Sequence, residues 1–173
     1  SHRQFLVQAG TVVLGIFAVV FISHFDYNIY RKIWPFIMAA CLIPVLLTFV
    51  IGFGPSGTDD KAWLMLPGGL TFQPSEILKI AFIITFSLHL EKVGEDVNKI
   101  NKLIPVLIHG AAPVLLIHFQ GDDGTAIIFA VIFIAMLFMA GLKVEYFLIF
   151  GGIVIVAAPL VYFLIFSEDQ QAR

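Results

Sequence analysis

Long apolar runs separated by short polar joints dominate the chain. Uncharged stretches cover residues 4–25, 33–58, 103–121, 124–142 and 146–167, and a sixth run, 74–90, is interrupted by Glu76 and Lys79. A hydrocarbon core takes about 20 residues of helix to cross, and each run is of that order. The pattern therefore predicts six spans, at about 5–25, 33–52, 74–91, 103–120, 124–141 and 145–166. Alternating short strands are absent from this reading. Lipid offers the backbone no hydrogen-bond partner, so the fold class expected is all-α, a polytopic transmembrane helical bundle in a single domain over 1–173.

Composition agrees, with 60% apolar and 13% charged residues, an imbalance foreign to soluble domains. The ten basic residues form no stripe, which excludes nucleic acid as a partner. Cys41 is the single cysteine, so neither a disulfide framework nor a cysteine metal site is expected. The first run leads into further spans rather than a soluble domain, unlike a cleaved signal peptide.

Loop charges suggest an orientation. The N-terminal side carries Arg3, Lys61 and Arg173, and the other side Arg31, Lys32, Lys92, Lys99, Lys102 and Lys143. The richer side belongs in the cytoplasm, placing the Trp63 loop, the Gly121–Asp123 turn and the C-terminal tail outside. An N-terminus outside, with no preceding span, points to a first helix lost or to an excised fragment. Pro35 and Pro105 are expected near helix starts, and Pro44 and Pro113 deep enough to bend their helices. Gly151, Gly152, Ala157 and Ala158 give the last span small packing faces.

Three polar words interrupt the pattern. Residues 52–70 hold five glycines and two prolines around Asp59, Asp60, Lys61 and Trp63, and Trp63–Leu66 is amphipathic enough to lie at the headgroups. This loop serves as a wall over a lipid-headgroup site or as an interfacial anchor. In Phe72-Gln73-Pro74-Ser75-Glu76, proline at N1 puts Glu76 at N3, where free amides and the helix dipole favour a carboxylate. Lys79 follows one turn along, within reach of Glu76, and an amine in lipid must snorkel, pair or line a polar cavity. It is either a point charge for substrate phosphates or half of a structural ion pair.

In Gly121-Asp122-Asp123-Gly124-Thr125-Ala126, Asp123 is expected to cap the next helix, with Thr125 in its first turn available to a polar cleft. The adjacent acids invite a divalent-metal reading, Mg²⁺ for example, but supply no full cage, and the metal stays unidentified. His24, His89, His109 and His118 lack ligand spacing. His118 is expected to make an interfacial hydrogen bond. Lys92, Glu95, Asp96, Lys99 and Lys102 read as a solvated joint with an option for anionic-lipid contact.

Together, Lys61-Ala62-Trp63-Leu64, Phe72-Gln73-Pro74-Ser75-Glu76 with Lys79, Gly124-Thr125-Ala126 and Gln171-Ala172-Arg173 resemble the signature run of the SEDS proteins (shape, elongation, division and sporulation), the RodA, FtsW and SpoVE group. The resemblance covers nearly the whole chain, and the Gln-Pro-Ser-Glu element with its lysine is its specific part. It implies a multi-pass protein of the bacterial inner membrane that polymerises lipid II, the undecaprenyl-diphosphate-linked peptidoglycan precursor, beside a class B penicillin-binding protein. The chain would correspond to the second through seventh of ten helices. Substrate-binding candidates are then Lys61, Trp63, Gln73, Glu76, Lys79, Asp123 and Thr125.

The resemblance places the carboxylate that activates the acceptor hydroxyl beyond Arg173, so no catalytic residue is expected within the fragment, and no polymerase activity from it alone. Two departures stand out. Asp60-Lys61-Ala62 replaces the arginine usual before the tryptophan, and Gly121 and Asp123 replace the usual proline and apolar residue around Asp122. A lipid-linked precursor flippase and a noncatalytic membrane scaffold for a penicillin-binding protein are the alternatives.

Overall fold

The computed structural model describes residues 2–24, 27–54 and 60–152. Within them the chain is a predominantly α-helical bundle: α1 His2–Ser23, α2 Tyr27–Ile51, α3 Pro74–Val93, α4 Ile100–Phe119 and α5 Asp123–Met139. Residues 144–152 begin a further helix; the remainder of the span expected at 145–166 and the closing Gln171-Ala172-Arg173 lie outside the described residues. Asn28–Ile51 and Ile100–Phe119 are long and apolar enough to cross a membrane, and Val7–Phe21 and Asp123–Met139 are shorter apolar runs.

Helices α2 and α3 pack together, as do α4 and α5, with α3 also meeting α4 and α5. Phe82, Phe86 and Phe129 fill the interior, Phe82 stacking on Phe86 and meeting Phe129 at a tilt. Gly110 lets α5 close on α4, since a methyl there would fall 2.0 Å from the Phe133 ring. By contrast α1 is apolar and exposed along its length, from Phe5 through Leu14 to Phe21, as suits a helix facing lipid or other helices.

Two expectations are corrected. Helix α2 starts at Tyr27, so Pro35 lies inside it rather than near its start, as Pro105 lies inside α4. Charged Arg31 and Lys32 do not end α2, because they stand on its exposed terminal turns where water or a partner solvates them. The chain also holds strands: β1 Leu64–Leu66 pairs antiparallel with β2 Leu70–Phe72. Gly68 and Gly69 turn this hairpin with φ of 87° and 73°, a region open to glycine at no steric cost. A two-stranded ribbon this short is not stable alone; it is anchored at both ends by the joints described next.

Candidate functional site

The sequence words from the side opposite the basic loops gather at one end of the bundle. Beyond α2 the chain turns back on itself: Phe53 and Trp63 exchange backbone hydrogen bonds of 3.0 Å, and Lys61 N–H donates to Gln120 O at 2.9 Å. Gly52 permits this approach, because a Cβ there would sit 2.2 Å from Thr48 O and 2.4 Å from Lys61 O. Buried Gln120 completes the joint, its amide donating to Thr48 Oγ1 and to Val45 O. The loop after α2 is thus stitched to the end of α4.

The hairpin delivers the chain to Gln73, the N-cap of α3, with Pro74 and Glu76 in its first turn as expected. The Gln73 side chain does not cap its own helix; it reaches across, Nε2 donating to Asp122 Oδ2 at 2.5 Å and lying 3.5 Å from Thr125 Oγ1. Asp122, not Asp123, caps α5: its Oδ1 accepts from Thr125 N–H at 3.0 Å. An N-cap oxygen bonds the amide two or three residues on, and here the three-residue reach from Asp122 to Thr125 is the one made. Gly121, at φ 88°, makes the turn that sets this register. One carboxylate therefore ties the starts of α3 and α5 together.

Asp123 leaves the cluster and meets His118 Nδ1 at 2.5 Å, the hydrogen bond expected of His118. The two acids diverge to different partners, and among the described residues no three His, Cys, Asp or Glu converge as a metal cage. The described residues supply no full cage for a divalent ion.

Glu76 and Lys79 form the expected pair, Nζ to Oε1 at 2.8 Å, with the lysine side chain 17% exposed and the glutamate 56%. The amine is thus tucked against the bundle while its partner faces outward. At about 1.5 Å per residue, Lys79 sits about 7.5 Å below Pro74. No hydrogen bond joins this pair to the Gln73–Asp122–Thr125 cluster among the described residues. Lys61 is exposed, Trp63 half-buried and Thr125 buried. Ser75, in the Gln-Pro-Ser-Glu element, is 1% exposed and its Oγ has no hydrogen-bond partner.

Sequence reasoning missed the hub Asp122, although its three-residue offset from Thr125 was a usable cap signal. It also missed two pairings at and toward the other end. Arg31 pairs with Glu91, joining α2 to α3, and the imidazoles of His89 and His109 meet Nδ1 to Nδ1 at 3.0 Å. Neither pair has a sequence signal, since each joins two helices.

The FtsW, RodA and SpoVE family, described as cell cycle proteins, matches residues 1–173. "Probable peptidoglycan glycosyltransferase FtsW" of Geobacter sulfurreducens is 31% identical over 98% of this chain and 45% of its own length. "Peptidoglycan glycosyltransferase MrdB" of Escherichia coli K12 is 32% identical over 96% and 44%, and "Stage V sporulation protein E" of Bacillus subtilis 28% identical over 87% and 40%. This chain spans less than half the length of these relatives. A solved structure described as "Structural coordination of polymerization and crosslinking by a peptidoglycan synthase complex" superposes with a TM-score of 0.81 at 20% identity, over 96% of this chain and 48% of that one, which establishes the shared fold. With its whole length matched and its polar words assembled at one end of the bundle, the chain belongs to the FtsW, RodA and SpoVE family of membrane proteins.

Proposed function

We propose that these residues form the outer-facing wall of a peptidoglycan glycosyltransferase that polymerises lipid II, working beside a class B penicillin-binding protein in the bacterial plasma membrane. The carrying observation is the meeting of Gln73 and Thr125, from two separate words 52 positions apart, on one carboxylate. Such a network holds neighbouring groups in fixed positions, which is what an electrostatically organised site needs. The basic residues at the opposite end support the orientation with this site outside, and six spans remain the proposed topology.

In this reading the attacking hydroxyl loses its proton to a carboxylate carried beyond Arg173. Its oxygen bonds the anomeric carbon of the lipid-linked donor, and the bond to the diphosphate breaks. Lys79, and Lys61 on the loop, are the cations for the departing diphosphate; Glu76 holds the Lys79 amine. Trp63 lies along the lipid or sugar, Gln73 and Thr125 shape the groove, and Asp123 forms its outer rim. A divalent cation would supply charge to the same leaving group, but no residue described here is assigned to one.

The test uses the complete protein with its transpeptidase partner and fluorescent lipid II. Lys79→Ala should lower glycan-strand formation roughly tenfold or more at unchanged thermal midpoint, with Lys79→Arg recovering part of it. Undiminished polymerisation by Lys79→Ala would remove this lysine from the site, and glycan strands made by residues 1–173 alone would overturn the division of labour.

A further inference from the structure

Two cavities adjoin on the face between α2, α3 and α4, toward the basic end of the bundle. The smaller, about 360 Å³, is lined by Arg31, Trp34, Leu88, Glu91 and Lys92. The larger, about 740 Å³, shares Trp34, Leu88 and Lys92 with it and continues along a largely apolar cleft. Both volumes lie in the range of ligand sites. One wall is a stripe of α2, Trp34, Met38, Leu42 and Leu46, repeating every fourth residue and rising about 18 Å into the bilayer. That is the reach of an extended acyl chain rather than of a compact solute.

The mouth has the opposite chemistry. Glu91 is taken by Arg31, whereas Lys92 has no carboxylate partner among the described residues and stands exposed at the end of α3. His89, one turn above it, lines the larger cavity with His109 and Thr85. Thr85 Oγ1 donates its proton to Phe82 O at 3.3 Å, so it accepts from His109 Nε2 at 3.4 Å. The His109 and His89 imidazoles meet Nδ1 to Nδ1 at 3.0 Å on the same wall.

We propose that this composite cleft binds an anionic glycerophospholipid of the leaflet at the basic end: phosphate on Lys92 and one acyl chain along the α2 stripe. Trp34 lies where headgroup and chain meet, the usual station of an amphipathic ring. The order from cationic lip to apolar cleft matches the order of a phospholipid from phosphate to acyl chain. This site lies away from the Gln73–Asp122–Thr125 cluster and does not depend on the role given to it.

Native mass spectrometry of the complete protein, titrated with phosphatidylglycerol or phosphatidylcholine of the same acyl chains, tests the assignment. The first phosphatidylglycerol should bind about fivefold tighter than phosphatidylcholine, and Lys92→Gln should erase the preference; Lys92 is exposed, so the fold survives its loss. Leu42→Trp should fill the cleft and weaken both lipids, with Leu42→Met leaving them unchanged. Equal binding of the two lipids, or indifference to Lys92→Gln, would overturn the proposal. So would indifference to Leu42→Trp, meaning that helices of the complete protein fill the cleft, or displacement of phosphatidylglycerol by equimolar undecaprenyl phosphate, meaning a prenyl occupant.

Discussion

The two ends of the bundle are held together by different physics. At the Gln73 end, side-chain amides and one carboxylate cross between elements in buried or half-buried surroundings: Gln73 to Asp122 and Gln120 to Thr48. At the basic end the links are the Arg31–Glu91 ion pair, with side chains 44% and 54% exposed, and the solvent-reached hydrogen bonds of Asn98 to Gly141 and Lys143. Exposed pairs contribute little, because water screens them and two long side chains must be ordered. A buried amide or acid that loses its partner carries the full cost of desolvation. The first end is built to be rigid, the second to remain solvated and adaptable.

The most damaging single change should be Asp122→Ala. It removes a helix cap and strands the Gln73 amide at once, and we expect a loss of about 2–3 kcal/mol, read as a lowered thermal midpoint of the complete protein. Asp122→Asn keeps the cap oxygen and should recover most of it; equal loss in both variants would refute the capping role. Gln120→Ala comes next, at about 1–2 kcal/mol, with faster amide exchange at Lys61 as its local signature, because the loop loses the anchor beneath it.

Asn98→Ala measures the strongest link at the basic end. Its Nδ2 donates to Gly141 O at 3.1 Å, and its Oδ1 accepts from Lys143 N–H at 2.9 Å. Water reaches this joint, so the expected loss is about 1 kcal/mol. Arg31→Gln should cost less than about 1 kcal/mol and lose even that in high salt. If Arg31→Gln proves as costly as Asp122→Ala in parallel denaturation, the contrast between the ends disappears.

The same contrast explains what could be read from the chain beforehand. The apolar runs overlie α3, α4 and α5 with their ends two or three residues off at most, since burial in lipid or core makes no demand beyond length and hydrophobicity. Pro74 and Glu76 announce the start of α3, and the three-residue step to Lys79 announces their pair, because helix geometry alone brings such neighbours together. The start of α2 was read six residues late, since charges that end an apolar run need not end a helix. The hairpin at Leu64–Phe72 was missed because its strands are short and borrow their stability from the Phe53–Trp63 and Lys61–Gln120 joints.

By itself, then, the sequence determined a helical bundle with membrane-length apolar runs, the family, and the local pair Glu76–Lys79, all set by hydrophobicity and by contacts within a few residues. Only the tertiary structure decided that Gln73 serves Asp122 at the start of another helix instead of its own, and that His89 meets His109 beside a lipid-shaped cleft. These contacts join residues 20 to 49 positions apart. Which partners meet at such separations depends on how whole helices pack and rotate against one another, and no local spacing encodes that.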